Sequence, residues 1–168
     1  MSCGKKVSRQ EGMILALDLA TKTGWAFRQN GLIVSGVQDF SLRRGDSPGM
    51  RYVYFNAWLN QLWQKLNPQV IFYEQPHMRG GHATEVLAGL VAHLQALCAR
   101  AEIEHTAVHT GTLKKFATGS GRGDKSGMIA KARKELMREP IDDNEADAVC
   151  LLLYAEENIE IRRQESIR

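Results

Sequence analysis

Five oxygen-bearing side chains stand out by where they fall. Asp18 closes the apolar run MILALD (13–18), and Glu74 closes a second such run, QVIFYE (69–74). A buried strand that ends in a carboxylate delivers that acid to the carboxyl end of a sheet, where open α/β folds place their ligand crevice. The third contribution is the cluster IDDNEADA (141–148). On a helix, Asp143 and Asp147 (i, i+4) share a face, and Asn144 and Asp147 (i, i+3) nearly do. Acids at 142–145 are expected in a helix first turn, where the dipole favours them. Asp147 is different, because it sits a turn further in, against the apolar run AVCLLLYA, and needs a partner there. Several acids gathered in one place require cations. An all-oxygen donor set without histidine or cysteine favours Mg²⁺ or Mn²⁺.

A second pattern is charge segregation. Residues 111–140 carry Lys114, Lys115, Arg122, Lys125, Lys131, Arg133, Lys134 and Arg138 against Asp124, Glu135 and Glu139, and the stretch that follows is acidic. A basic loop and helix beside an acidic pocket suit a phosphate backbone on one side and metal-activated water on the other. Lysines 131 and 134 are equally explained as a solvated helix face. The loop GSGRGDKSG (119–127) can grip a phosphate through backbone amides and nearby cations, but it lacks the GxxxxGK[ST] spacing of a nucleotide P-loop. In EQPHMRGG (74–81), His77 and Met78 at a loop tip are candidates to stack on or wedge between bases, with Arg79 beside them. His105 and His109 flank an apolar strand and read as structural.

The elements that position these residues form an α/β pattern. Residues 1–12 read as a polar leader. GWAFRQ and GLIVSGV, joined at Asn30-Gly31, predict a hairpin and, with 13–18, an antiparallel meander. A helix follows over 49–66, ended by Asn67-Pro68, and then the strand 69–74. A helix from about 84 to 100 carries Val86, Leu87, Leu90, Val91, Leu94, Leu97 and Cys98 on one face and Ala88, Ala92 and Ala96 on the opposite side. That geometry serves core packing alone or core and dimer contact together. HTAVH (105–109) reads as a third buried strand, followed by a short helix at 112–116, a basic helix at 125–137 and a last helix from about 142. A single domain over 13–158 with a charged tail at 159–168 is expected.

Composition is that of a globular chain: 168 residues, 43% hydrophobic, 24% charged, net charge +3. No apolar run reaches membrane-spanning length and no signal peptide is visible. Cys3, Cys98 and Cys150 are scattered, without zinc spacing, which points to a reducing cytoplasm.

The ordered set LALDLATKTGWA, IFYEQPHM, GTLKKFATGSGRGDKSGMIAKAR and DDNEADAVCLLL resembles the RuvC family of Holliday junction resolvases, particularly its phage-type members. The resemblance covers about residues 13–155. It implies a ribonuclease H-like mixed five-stranded sheet flanked by helices, a homodimer, and Mg²⁺-dependent paired nicking of a four-way junction. The nicks would leave 5′-phosphate and 3′-hydroxyl ends. Asp18, Glu74 and Asp147 match the family's carboxylates, and Lys114 and Lys125 its active-site lysines. His77 falls where the family places a junction-wedging aromatic. A fourth ligand is expected three residues before the last aspartate, where this chain has Asn144. Asp143 is taken in its place, with the amide oxygen of Asn144 as the alternative. The expected site therefore comprises Asp18, Glu74, Asp143 and Asp147 around two Mg²⁺, replaceable by Mn²⁺, with Lys125 at the scissile phosphate. His77, Met78, Arg79, Lys114, Lys115 and Arg122 would contact DNA.

The expected setting is a bacterial or phage-infected cytoplasm, without membrane or nucleotide cofactor. Competing readings are a less selective debranching nuclease of the same fold and a non-catalytic junction-binding protein. An actin-like ATPase is suggested by DLATKTG, but it would need a second half that this length does not supply.

Overall fold

The computed structural model describes residues 12–76, 80–121 and 124–165. In chain order its elements are strands β1 (Ile14–Asp18), β2 (Lys22–Gln29) and β3 (Leu32–Asp39), helix α1 (Met50–Leu66), strand β4 (Val70–Gln75), helix α2 (His82–Ala101), strand β5 (Glu104–His109), and helices α3 (Thr110–Thr118), α4 (Lys125–Leu136) and α5 (Asp143–Glu165). The strands form one mixed sheet in the order β3-β2-β1-β4-β5. β1, β2 and β3 pair antiparallel as the expected meander, and β4 and β5 are added parallel to β1. The hairpin turns on Asn30 and Gly31, with φ of 53° and 80°, the left-handed pair that a two-residue primed turn requires.

Alternation along each strand divides the core in two. Leu15 and Leu17 of β1 and Ile71 and Tyr73 of β4 face one side, where they meet Phe55, Leu59 and Trp63 of α1 and Val86, Leu90, Leu94 and Cys98 of α2. Both helices place these residues at steps of four, one stripe each. Phe40, just past β3, packs edge-on against Phe55 at 5.4 Å and joins the loop to this aromatic side. The other face is lined by small residues. Ala16 and Ala26 lie against Ala146, Val149, Cys150 and Leu152 of α5, with Leu113 of α3 and Met128 of α4 beside them. α5 is buried along most of its first three turns because the sheet takes one of its sides and α4 another.

The small residues let α5 come close. A Cβ built on Gly24 of β2 would lie 1.9 Å from the carbonyl oxygen of Asn144, so only glycine admits the first turn of α5 at this point. Gly24 is paired with Asp18 across the β1–β2 ladder, so the contact sets α5 directly above the end of β1.

One expectation is corrected. The strand at 105–109 is an edge, paired with β4 alone, and Val108 is its one buried residue. Its apolar letters resemble those of a central strand, but no further strand covers its outer side. The last helix runs to Glu165, through part of the charged stretch 159–168.

Replacing Gly24 with alanine is expected to cost about 1–3 kcal/mol, the range for overpacking a fitted site. Gly49→Ala, at a position where an added Cβ meets nothing within 4 Å, is the control. Urea denaturation of the two variants should show a lowered midpoint for the first alone.

Candidate active site

The strand register brings the first two acids together. Leu17 pairs with Tyr73 in parallel, so Asp18 and Glu74 stand at the next step on adjacent strands, about 4.8 Å apart in the pairing direction. Both follow the alternation of Ala16 and Phe72, which places them on the face covered by α5. There α5 begins at Asp143, and its i, i+4 pair Asp143 and Asp147 completes a group of four carboxylates. Asp18 is half-buried, as is Asp147.

The electrostatics show how crowded the group is. Burial, followed by the charges of Glu74, Asp147, Asp143 and Asp142, holds the Asp18 carboxyl well above the ordinary carboxylate range. Asp147 is pushed up to about 7, by burial first and then by Glu74 and Asp143, against the opposing pull of Lys125 and Lys114. Asp143 moves the other way. Its hydrogen bond from Lys125 lowers it, and the same contact raises Lys125. Lys114 and Lys125 are thus both within electrostatic reach of Asp147. Lys115 is exposed on α3 and takes no part in this group.

Two residues not singled out from the sequence hold the acids in place. Thr110, at the start of α3, donates its hydroxyl to Glu74 Oε1 at 2.5 Å. It continues the alternation of β5, since Val108 is the register partner of Glu74 and Thr110 lies two residues on. Glu145 is 0% exposed and turns away from the carboxylate group. It accepts hydrogen bonds from Arg138 Nη2 at 2.7 Å, from Ser35 Oγ at 2.7 Å and from the Ile141 amide. Burial works to raise its pKa, and the hydrogen bonds from Arg138, Ile141 and Ser35 outweigh it, leaving the group lowered. Asp142 accepts from the Glu145 amide at 3.0 Å, and Asn144 donates its amide to Asp142 Oδ2 at 3.1 Å. The acid-rich stretch therefore divides by role: Asp142 and Glu145 secure the helix start, while Asp143 and Asp147 face the strand ends.

The donor chemistry fits a hard divalent cation. All four groups are carboxylates, and burial together with their mutual repulsion raises two of them, Asp18 and Asp147, in spite of the nearby lysines. Among the described residues no three His, Cys, Asp or Glu side chains are gathered tightly enough to enclose an ion as they stand. One oxygen of Glu74 is held by Thr110 and one of Asp143 by Lys125. His77, Met78, Arg79 and Arg122 lie outside the described residues. His109 proves to be the N-cap of α3, accepting from the Gly111 amide at 3.1 Å. The turn after β1 is closed by Thr23, whose hydroxyl donates to the Ala20 carbonyl at 2.7 Å.

No family model and no curated protein matches the chain by sequence. Solved structures do match by shape. Thermus thermophilus RuvC in complex with a Holliday junction substrate superposes with a TM-score of 0.73 at 14% identity, over 88% of this chain and 97% of that one. The chain has the fold of RuvC. A second structure of the same RuvC gives 0.68 at 16% identity, covering 87% and 96%. The yeast mitochondrial Holliday junction resolvase Ydc2 gives 0.58 at 14%, covering 83% and 75%. Fowlpox virus resolvase, solved with substrate Holliday junction DNA, gives 0.54 at 12%, covering 86% and 99%. The RuvC-like architecture accounts for the mixed five-stranded sheet flanked by helices. Among the described residues no helix is long and apolar enough to cross a membrane.

The raised pKa of Asp147 has a consequence for stability. In the unfolded chain an aspartate titrates near 3.9, so between about pH 4 and 7 the folded state binds a proton that the unfolded state does not. The contribution of Asp147 is fully present below about pH 4 and is lost as pH rises through about 7. Compared with Asp147→Asn in EDTA, the wild-type melting temperature is therefore expected to fall behind progressively from pH 5 to pH 8. Millimolar Mg²⁺ at pH 8 should recover it for the wild type and not for the variant.

Proposed function

We propose that the protein is a structure-specific endodeoxyribonuclease that resolves four-way DNA junctions by paired, Mg²⁺-dependent nicks. The observation that carries this reading is the convergence of Asp18, Glu74 and Asp147, with Asp143, at the carboxyl ends of two adjacent parallel strands under the first turns of α5. Neighbours of the same fold are named as Holliday junction resolvases, which supports the substrate class.

Asp18, Glu74, Asp143 and Asp147 would hold two Mg²⁺, with Mn²⁺ able to replace them. Bound there, the ions supply Lewis acidity for water activation and charge neutralisation at the phosphate. The remaining work belongs to the chain. Thr110 fixes one oxygen of Glu74 and so orients the carboxylate. Lys125, exposed and paired with Asp143, carries a mobile positive charge at the rim of the site and is placed to offset charge on the scissile phosphate. Lys114 adds a second cation beside Asp147. Water attacks phosphorus in line and the bond to the 3′ oxygen breaks, leaving 5′-phosphate and 3′-hydroxyl ends. Lys115 and Arg122 would hold the backbone, and His77, Met78 and Arg79 would enter the junction from the loop after β4.

A homodimer would present two equivalent sites to two equivalent strands. The solvent side of α2, with Ala92, Ala96 and Ala99 exposed, is its proposed seat. The compartment that fits is the cytoplasm of a bacterial or phage-infected cell, where the buried free thiols of Cys98 and Cys150 stay reduced.

The test is cleavage of a labelled four-way junction and a matching linear duplex, with Mg²⁺ or EDTA. Paired nicks on the junction alone are expected. Asp18→Asn should lower the rate about 10²-fold or more, the scale on which loss of one transition-state-stabilising group acts. Equal cleavage of both substrates would assign a general debranching nuclease. Tight binding without cleavage in either Mg²⁺ or Mn²⁺ would leave a junction-binding protein.

A further inference from the structure

Besides the lysines of α3 and α4, a second basic group stands at the catalytic end of the sheet, on the opposite face. β3 ends at Asp39, the register partner of Lys22, and the next residue, Phe40, donates its amide to the Thr21 carbonyl at 2.7 Å. The loop 40–49 therefore leaves the sheet beside the turn that follows Asp18, two strand spacings from β1, or about 10 Å. Phe40 then anchors it between Phe55 and Trp58 of α1.

From that anchor the chain makes a compact turn. The Asp46 amide donates to the Arg43 carbonyl at 3.1 Å, and the Asp46 carboxylate accepts from the Arg43 amide at 2.8 Å and from the Tyr54 hydroxyl at 3.0 Å. The Arg43 guanidinium lies over the Tyr54 ring, 5.5 Å from its centre. Arg43 and Arg44 are both exposed, and Arg44 makes no hydrogen bond or ion pair with the described residues. Lys22 is exposed beside them, and Arg51 is half-exposed at the start of α1, where its Nε bonds the Phe40 carbonyl at 3.2 Å. The two acids nearby offset these charges only in part, since Lys22, Arg43, Arg44 and Arg51 outnumber them. Asp46 holds the turn, and Asp39, which accepts from the Ser41 amide at 2.8 Å, lies opposite Lys22 and offsets part of its charge.

We propose that the Arg43–Asp46 turn, with Lys22, is a preordered phosphate clamp for a DNA arm that leaves the carboxylate site across the β3 side of the sheet. This deepens the junction-resolving reading and rests on it. Packing does not account for Arg44, since its side chain is solvent-exposed on a turn whose shape is set by Asp46, Tyr54 and Phe40. An arginine held over a ring loses little freedom when a phosphate arrives, so the geometry suits backbone contact without base readout. With α3 and α4 on one face and this turn on the other, duplex on either flank of the carboxylates meets positive charge. Two arms diverging from a branch point require that arrangement, and a single straight duplex does not.

The test is binding of the full-length chain to a fluorescent four-way junction and to a linear duplex, in EDTA so that nothing is cut, across a salt series. For Arg43→Gln/Arg44→Gln we expect about tenfold weaker junction binding, a log K against log salt slope shallower by about two, and a smaller loss on the duplex. Arg44→Lys should bind nearly as the wild type, because a phosphate contact needs the charge. Lys65→Gln, in the last turn of α1 at the far end of the sheet, should change neither value. Unchanged affinity and slope in the double variant, with wild-type binding intact, would overturn the clamp and leave the resolvase reading standing. An equal loss on junction and duplex would overturn the assignment to a diverging arm. Failure of the wild type itself to bind the junction would remove both the clamp and the reading beneath it.

Discussion

The approach of α5 to β2 at Gly24 governs the rest of the molecule. With hydrogen as the side chain, the Asn144 carbonyl rests on the strand, and the first turn of α5 lies over the end of β1. Everything on that face follows from the short spacing. Ala16, Ala26, Ala146 and Ala148 are buried in this layer, and Asp147 reaches the strand-borne acids because its helix lies close. The other face is built by the opposite rule. Phe40, Phe55, Trp63 and Tyr73 fill a thick layer under α1 and α2, where bulk contributes stability and no chemistry is asked for. The sheet thus separates a thin side that carries the site from a thick side that carries much of the cohesion.

The same helix turn disposes of its charges in two contrary ways. Glu145 is wholly buried, yet its oxygens are met by a guanidinium, a hydroxyl and a backbone amide, so its ionised form is held comfortably. Asp147, half a turn away, is surrounded by further carboxylates and pushed toward neutrality. Satisfied burial at one position fixes where the helix begins, and unsatisfied burial at the other stores an attraction for cations. A protein that gave Asp147 an arginine of its own would be more stable and would hold no metal there.

Much of this arrangement was legible from local signals. An apolar run ending in an acid, a primed hairpin dipeptide and an i, i+4 acid pair ahead of an apolar helix are features of a few residues each, and they located β1, β4 and α5 with their acids. What escaped depends on distant partners. Ser35 and Glu145 are separated by 110 residues, and Thr110 and Glu74 by 36, so no short-range pattern announces either bond. β5 was misjudged for a related reason: HTAVH carries the letters of an interior strand, and whether another strand lies beyond it is a property of topology. The shape of the Arg43–Asp46 turn is of the same kind, since it depends on Tyr54, on a different element, closing over it.

The four acids enter the chain far apart, with Asp18 near the start and Asp143 and Asp147 on the last of the described elements. The sheet and the aromatic layer draw their residues from the chain before α5, whereas the other face of the sheet is covered by α5 itself. A chain without α5 holds Asp18 and Glu74 but neither Asp143 nor Asp147, and leaves Lys125 of α4 without its partner. The proposed site is thus complete only when α5 has packed on the sheet, and a chain without that helix is expected to be inert.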